Sequence, residues 1–344
     1  EIDTGPDTAR GRAPKGTADD EIAVLREPGE RSLRDVLTAI PTLLPRLAPC
    51  VLASPYAVAA HLDPTLTWDL VVFDDASQLP VAHALGALAR ARAAVIVGDT
   101  RRHAAPENLL ETALAARLPE LVLTTHYRSR HEDLFAFANR KFYGDRLEVL
   151  PAAHATPQVG VHWRPVDGQP DLAGANRAEA EAVIADARAR RRAAPQRSLA
   201  IVAMSRAHAE LIESLMPDEL ADILVATPDR IQGEERDVVL LTFGDLPPAF
   251  AHPVPEWRDR NSFPVPVIDR WLAAATTCAR EELVLLSSFD DAHGTLGELI
   301  AYARVPRIID ASEPASPVTA AIARALTDRG WSVRHRIGTG AVRL

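Results

Sequence analysis

Ten residues constrain this chain more than any others: Asp69-Leu70-Val71-Val72-Phe73-Asp74-Asp75-Ala76-Ser77-Gln78. Four apolar residues run together and end on two carboxylates, a small residue, a serine and a glutamine. A short apolar run with polar ends predicts a buried strand of a parallel sheet. Open α/β sheets bind ligands beyond the carboxyl ends of their strands, which is where Asp74 and Asp75 fall. One carboxylate there can hold Mg²⁺ through water while its neighbour orients an attacking water. The same residues also fit a strand that ends in a solvated acidic turn, and the rest of the chain must decide.

Strands of this kind recur with helices between them. Ser32 to Leu47 reads as a helix with Ser32 as N-cap, broken by Pro41. Cys50 to Ala53 reads as a short strand, and Tyr56 to His61 as a short helix. After the ten residues come a helix over Val81 to Arg92 and a strand over Ala94 to Val97 that ends on Gly98-Asp99. Glu107 to Arg117 is helical, Leu121 to Leu123 a strand, and Glu132 to Lys141 a helix. Arg128, just past a strand end, suits a phosphate through its fixed fork of donors. A second series comes after it. It has strands over Val159 to Pro165, Leu199 to Ala203, Ile223 to Thr227, Val238 to Phe243 and Leu283 to Ser287. Its helices run over Asn176 to Arg192, Arg206 to Met216, Asp269 to Arg280 and Thr295 to Ala303. In the first of these, Ala178, Ala182, Ile184 and Ala185 are expected to face inward. Its end, Arg188 to Arg192, is the most basic patch and reads as a solvated helix terminus. The alternation predicts an α/β fold with parallel sheets in two units. Val318 to Asp328 is a further amphipathic helix stopped by Gly330, with a strand over Trp331 to Ile337.

With 344 residues there is room for two domains and part of a third. A net charge of −9 excludes a uniformly basic nucleic-acid binder, so any such surface must be local. Cys50 and Cys278 lie far apart without metal-ligand spacing, which argues against a disulfide framework or zinc site and fits a cytoplasmic protein. No apolar run is long enough for a membrane span, and residues 1–20 lack a signal-peptide core.

Several stretches together resemble superfamily 1 helicases of the DEAS-box kind, built from two RecA-like P-loop NTPase domains. Asp74-Asp75-Ala76-Ser77-Gln78 looks like motif II, and Gly98-Asp99-Thr100-Arg101-Arg102 like motif III. His126-Tyr127-Arg128-Ser129, with Asn139 and Phe142-Tyr143 downstream, looks like motif IV. Gln232-Gly233-Glu234-Glu235-Arg236-Asp237 looks like motif V, and Thr277-Cys278-Ala279-Arg280 like motif VI. The chain is most similar to large bacterial helicase–nuclease fusions that end in a nuclease similar to very-short-patch-repair endonucleases. Ser316-Pro317, the helix after it and Val333 to Gly338 resemble the opening of that nuclease, and a first residue other than Met suggests a C-terminal fragment.

The resemblance implies roles. Asp74 coordinates Mg²⁺ through water, and Asp75 stands where a glutamate activates the hydrolytic water. Gln78 and Asp99 sense the γ-phosphate, and Arg128 contacts it. Gln232, Gly233 and Glu235 face the nucleotide, with Glu235 near the ribose. ATP and Mg²⁺ are the implied cofactors, single-stranded or duplex DNA the implied partner, with RNA also possible. The implied division is a linker over 1–31, a partial first RecA-like domain over 32–123, a second over 124–305, and a truncated nuclease-like α/β stub over 306–344.

The chain also departs from the pattern. No G-x-x-x-x-G-K-[ST] phosphate loop occurs; Gly11 to Thr17 has such a composition in the wrong order. Asp75 replaces Glu, Arg102 replaces Gln, and Cys278 replaces the arginine finger of motif VI. Arg280 stands two residues on, and on a helix that offset would turn it away. The nuclease's expected glutamate is Thr319. The expectation is therefore an ATP-driven helicase or translocase core that is inactive in this form. The alternative is a pseudo-helicase kept as a nucleic-acid-binding or protein-docking scaffold.

Overall fold

The computed structural model describes residues 18–26, 30–101, 105, 107–150, 159–231, 233–245, 267–305, 316–331 and 333. The described residues divide into two compact units, those within 1–100 and 104–120 and those within 101–103 and 121–344.

In the first unit, α1 (Ala18–Arg26), α2 (Leu33–Ala39), α3 (Leu44–Leu47) and α4 (Pro55–His61) precede β1 (Trp68–Phe73). Then come α5 (Val81–Leu88), β2 (Ala91–Ile96) and α6 (Leu109–Ala115). Local chemistry sets the helix starts. Ser32 accepts the Asp35 N–H, and Ser54 accepts the Ala57 N–H ahead of Pro55 at the first helical position. Strands β1 and β2 pair in parallel from Trp68↔Ala91 to Phe73↔Ile96. The strand period puts Val71 and Phe73 on one face, where Ala84, Ala87, Leu109 and Leu110 cover them. Leu70, Val72 and Val95 remain exposed, Val72 by 57%. The expected fully buried strand is thus covered on one face only. Cys50 to Ala53 and Leu121 to Leu123 are not strands. Leu52 and Leu121 are almost fully exposed, and an apolar run without a partner strand gains nothing by extending.

The second unit opens with β3 (Thr125–His126), α7 (Asp133–Phe142) and β4 (Glu148–Val149), β3 and β4 pairing in parallel. Its main sheet holds β5 (Gly160–Pro165), β6 (Leu199–Ala203), β7 (Leu224–Ala226), β8 (Arg236–Thr242) and β9 (Ala279–Ser287). The order is β5-β9-β8-β6-β7, with every pairing parallel. The helices are α8 (Arg177–Ala193), α9 (Arg206–Leu215), α10 (Pro228–Ile231), α11 (Val267–Thr276), α12 (Gly294–Arg304) and α13 (Pro317–Thr327).

Alternation along each strand divides the core. Val202, Val239, Leu241, Leu283 and Leu285 point to the layer of α7, α11 and α12. Leu199, Ile201, Leu240, Val284 and Leu286 point to the layer of α8 and α9. This is the expected α/β architecture, a parallel sheet buried on both faces. Two local expectations fail. In α8 the buried residues are Glu179, Ala180, Val183, Ile184 and Ala187, so the inward stripe is shifted and includes a carboxyl group. Arg280 lies in β9, because the preceding helix ends at Thr276. Part of the predicted strand over Trp331 to Ile337 lies outside the described residues. No described helix is long and apolar enough to cross a membrane.

Candidate functional site

In the first unit the two acidic stretches meet at the ends of β1 and β2. The Val97 N–H donates to the Phe73 carbonyl at 2.8 Å, and the Ala76 N–H to the Val97 carbonyl at 2.8 Å. Asp74 and the Gly98-Asp99 pair therefore leave neighbouring strands side by side. Gly98 is required there: a Cβ would lie 2.9 Å from Leu110 Cδ2 and 3.2 Å from the Ser77 nitrogen. The Asp74 side chain is exposed, and its Oδ1 accepts the Asp75 N–H at 2.9 Å. Asp75 holds the left-handed conformation at φ 49°, one that aspartate tolerates better than most residues. Next comes a 3₁₀ turn over Ala76–Gln78, with Gln78 exposed and Ser77 buried. Arg102 lies outside the described residues.

In the second unit three stretches converge. The Arg128 Nε lies 2.7 Å from Glu235 Oε1. Arg280 places Nε at 3.0 Å and Nη2 at 2.9 Å from Glu235 Oε2. One carboxylate thus bridges two guanidinium groups, each side chain partly exposed. The backbone fixes this arrangement. Glu235 directly precedes β8 and Arg280 is the second residue of β9, with Arg236 beside Ala279 in the register. The turn carrying Arg128 rests on β9, since the Arg130 N–H donates to the Arg280 carbonyl at 2.6 Å. The turn also holds itself. His126 stacks on Phe135 with centroids 3.7 Å apart, and the Ser129 hydroxyl lies 2.9 Å from its Nε2. Gly233 has φ 88°, a conformation that favours glycine. Gln232 lies outside the described residues.

Cys278 is buried in the core, its thiol 3.0 Å from the Ala275 carbonyl. It does not share the position of Arg280. The expectation that Arg280 would face away rested on a helical offset, and on a strand the side chain is free to reach Glu235. Asp237 stands nearby and accepts the Ser198 N–H at 2.9 Å and hydroxyl at 2.8 Å. Burial pushes its carboxyl up, but those bonds and the charges of Arg130 and Arg280 outweigh it and hold it below the usual 3.8. A depressed carboxyl stabilises the fold above its unfolded value, and that contribution is lost as pH falls through the folded one. Asp237→Asn is therefore expected to be about 1 kcal/mol less stable at pH 7 and to lose this part of the acid dependence below about pH 4. Urea unfolding at pH 7 and pH 3.5 measures both.

The opposite end of this sheet carries a groove of 580 Å³, lined in part by Met204, Ser205, Arg206, Thr227, Arg230 and Trp271. It sits beyond the carboxyl ends of β6 and β7, where open α/β sheets place ligands. Glu210, Glu213 and Asp229 also line it, so it is mixed in charge. The basic end of α8 is not a free patch: Arg188 pairs with Glu219, Arg190 with Glu282 and Asp186, and Arg191 with Asp222.

Sequence reasoning missed one cluster. Glu179, fully buried, accepts the Thr242 hydroxyl at 2.8 Å and the Phe243 and Gly244 N–H groups at 3.1 and 2.9 Å on Oε2. Its Oε1 accepts the Ser288 N–H at 2.7 Å. His208, also buried, lies 3.0 Å from the Thr242 hydroxyl. The available signal was the spacing Asn176-x-x-Glu179, an N-cap followed by an acid three residues on.

Residues 106–288 match a protein family described as an AAA domain. Over 222 residues the chain is 25% identical to the "uncharacterized ATP-dependent helicase MG140 homolog" of Mycoplasma pneumoniae, covering 52% of this chain and 20% of that protein. It is 25% identical over 224 residues to the "uncharacterized ATP-dependent helicase MG140" of Mycoplasma genitalium, with the same coverage. The chain thus spans about a fifth of the length of the curated relatives it matches. A solved arterivirus nonstructural protein 10 (helicase) is 16% identical, covers 79% of this chain and 54% of its own, and superposes with a TM-score of 0.38, too loosely to assign anything.

Proposed function

The chain belongs to the AAA_12 family of AAA domains, and on that premise we propose that it supplies the motor core of an ATP-dependent superfamily 1 helicase or translocase acting on DNA, with RNA as a further possible track. The observation that carries this reading is the meeting of Arg128, Glu235 and Arg280 from three separate stretches. Two guanidinium groups on one partly exposed patch suit the polyphosphate of a nucleotide. In this reading residues 32–123 and 124–305 are RecA-like domains, and the segment from Ser316 opens a nuclease-like domain.

Mg²⁺ fits the residues present. Asp74 offers an exposed carboxylate at a strand end, and no described cluster of His, Cys, Asp and Glu forms a complete cage. Mg²⁺ favours that situation, since it takes one or two carboxylates and completes its shell with water and phosphate oxygens. When bound with nucleotide it neutralises phosphate charge. Asp74 would hold it, while Asp75 orients water and Gln78 and Asp99 respond to the terminal phosphate. Within the second unit, Arg128 and Arg280 would offset charge on a bound phosphate. Nucleic acid would follow the groove at the carboxyl ends of β6 and β7, with Arg206 and Arg230 toward its phosphates.

The test is single-stranded-DNA-stimulated ATP turnover by the native protein at full length, beside the 344-residue chain. The expected result is turnover in the first and none in the second, because these 344 residues contain no phosphate loop. Steady hydrolysis by the 344-residue chain would sink the second half of that expectation. DNA binding without turnover at full length would favour the scaffold reading. Restoring Cys278→Arg cannot separate the two, because it would bury a guanidinium in the core.

A further inference from the structure

We propose that Glu235 is a resident stand-in for an oxyanion: it masks a phosphate-binding pair made by Arg128 and Arg280, and a nucleotide's terminal phosphate binds by displacing it. The inference rests on the nucleotide reading only for the identity of the anion.

The geometry is that of an occupied anion site. Each Glu235 oxygen serves a different arginine, Oε1 facing Arg128 and Oε2 facing Arg280. A carboxylate held between two guanidinium groups occupies the place a phosphate would take, with fewer oxygens and less charge. The two arginines arrive from different strand ends and cannot drift apart freely, since the Arg130–Arg280 backbone hydrogen bond ties the turn to β9. The pair is not buried: the side chains of Arg128, Glu235 and Arg280 are 26%, 28% and 39% exposed, so an anion in solution can reach them. An exposed ion pair contributes little to stability, which leaves Glu235 open to exchange. Neighbouring arginines do not compete for the same role. Arg130 pairs with Glu281, and Arg197 with Glu281 and Glu282. Cys278 has no access to the patch, so the second guanidinium is that of Arg280.

The experiment is calorimetric titration of the 344-residue chain with inorganic tripolyphosphate, and separately with ATP, at low salt. Glu235→Gln keeps the side-chain size and removes the competing charge. It is expected to tighten tripolyphosphate binding by on the order of tenfold. Adding Arg128→Gln or Arg280→Gln to it should cancel that gain, and adding Arg280→Lys, which keeps the charge but loses the fork, should cancel part of it. Arg192→Gln, at the exposed end of α8, should change nothing. Circular dichroism melts establish that each variant is folded, and the lysine variant carries the test if the glutamine one is not. Glu235→Gln that binds tripolyphosphate no more tightly than the parent, or no detectable binding in either, overturns the proposal. So does a gain that survives loss of Arg280. Tightening for tripolyphosphate without ATP leaves the masked pair standing and removes the nucleotide reading. Weakening for ATP alone overturns the exchange and returns Glu235 to the ribose contact that the helicase resemblance implies.

Discussion

On the proposed motor reading, Asp74→Ala is expected to lower DNA-stimulated ATP turnover of the full-length native protein by on the order of 10²-fold or more, the usual loss when one preorganised electrostatic group is removed from a reacting centre. The fold should not register the change. Asp74 is exposed, and its one described hydrogen bond is the local one from the Asp75 N–H. Losing an exposed bond of that kind costs about 1 kcal/mol at most, because water replaces it. Turnover and stability therefore separate cleanly here. A turnover loss at unchanged urea midpoint places Asp74 in the chemistry. Unchanged turnover would mean that the end of β1 is a solvated acidic turn and that the metal, if one is used, is held elsewhere. Asp75→Glu tests the neighbouring position by the same comparison. Asp75 sits in the left-handed region, where any non-glycine side chain carries strain, and a longer acid keeps the charge while moving it one methylene outward.

How legible was this in the sequence? The helix starts were, because a cap is local chemistry. Ser32 and Asn176, each followed by an apolar period, mark real first turns. The strands of the second sheet were legible for a related reason, since strands buried on both faces are continuous apolar runs. What was lost depended on partners. Cys50 to Ala53 and Leu121 to Leu123 are as apolar as real strands, but pairing is a property of two segments and not one. Arg280 was misplaced because helix and strand directions differ. A boundary at Thr276 turns a residue expected to face away into one that faces Glu235. Glu179 was invisible because hydrophobic periodicity counts a carboxyl group as outward. Nothing local announces that four donors from the end of β8 and the loops after β8 and β9 will converge on it.

Glu179→Ala is therefore the substitution expected to damage the fold most, by about 3–5 kcal/mol. It strips acceptors from two buried backbone N–H groups, those of Phe243 and Gly244, from the partly buried Ser288 N–H, and from the Thr242 hydroxyl. Each unsatisfied buried donor costs about 1–3 kcal/mol, and the void left by the side chain adds to this, offset in part by water that enters. Glu179→Gln should fall between, since it keeps one acceptor oxygen and turns an amide nitrogen toward donors. Hydrogen exchange in peptides covering β8 and β9 reads this cluster directly and adds its location to what a urea midpoint gives. His208 adds a pH signature to the same cluster. Burial pushes its pKa below the ordinary 6.5, against the opposing pull of Glu179 and Asp171. The unfolded chain then binds a proton that the folded one resists. The stabilisation is whole above about pH 6.5 and declines as pH falls below it. Protection of β8 and β9 should weaken between pH 7.5 and pH 5.5 in the parent, and His208→Asn should flatten that slope. The consequence reaches the arginine pair. Glu179 pins the far ends of the two strands whose near ends carry Glu235 and Arg280. If β8 and β9 loosen in Glu179→Ala, the response of tripolyphosphate binding to Glu235→Gln should shrink with them. If that response is unchanged while protection is lost, the two ends of the sheet are energetically independent.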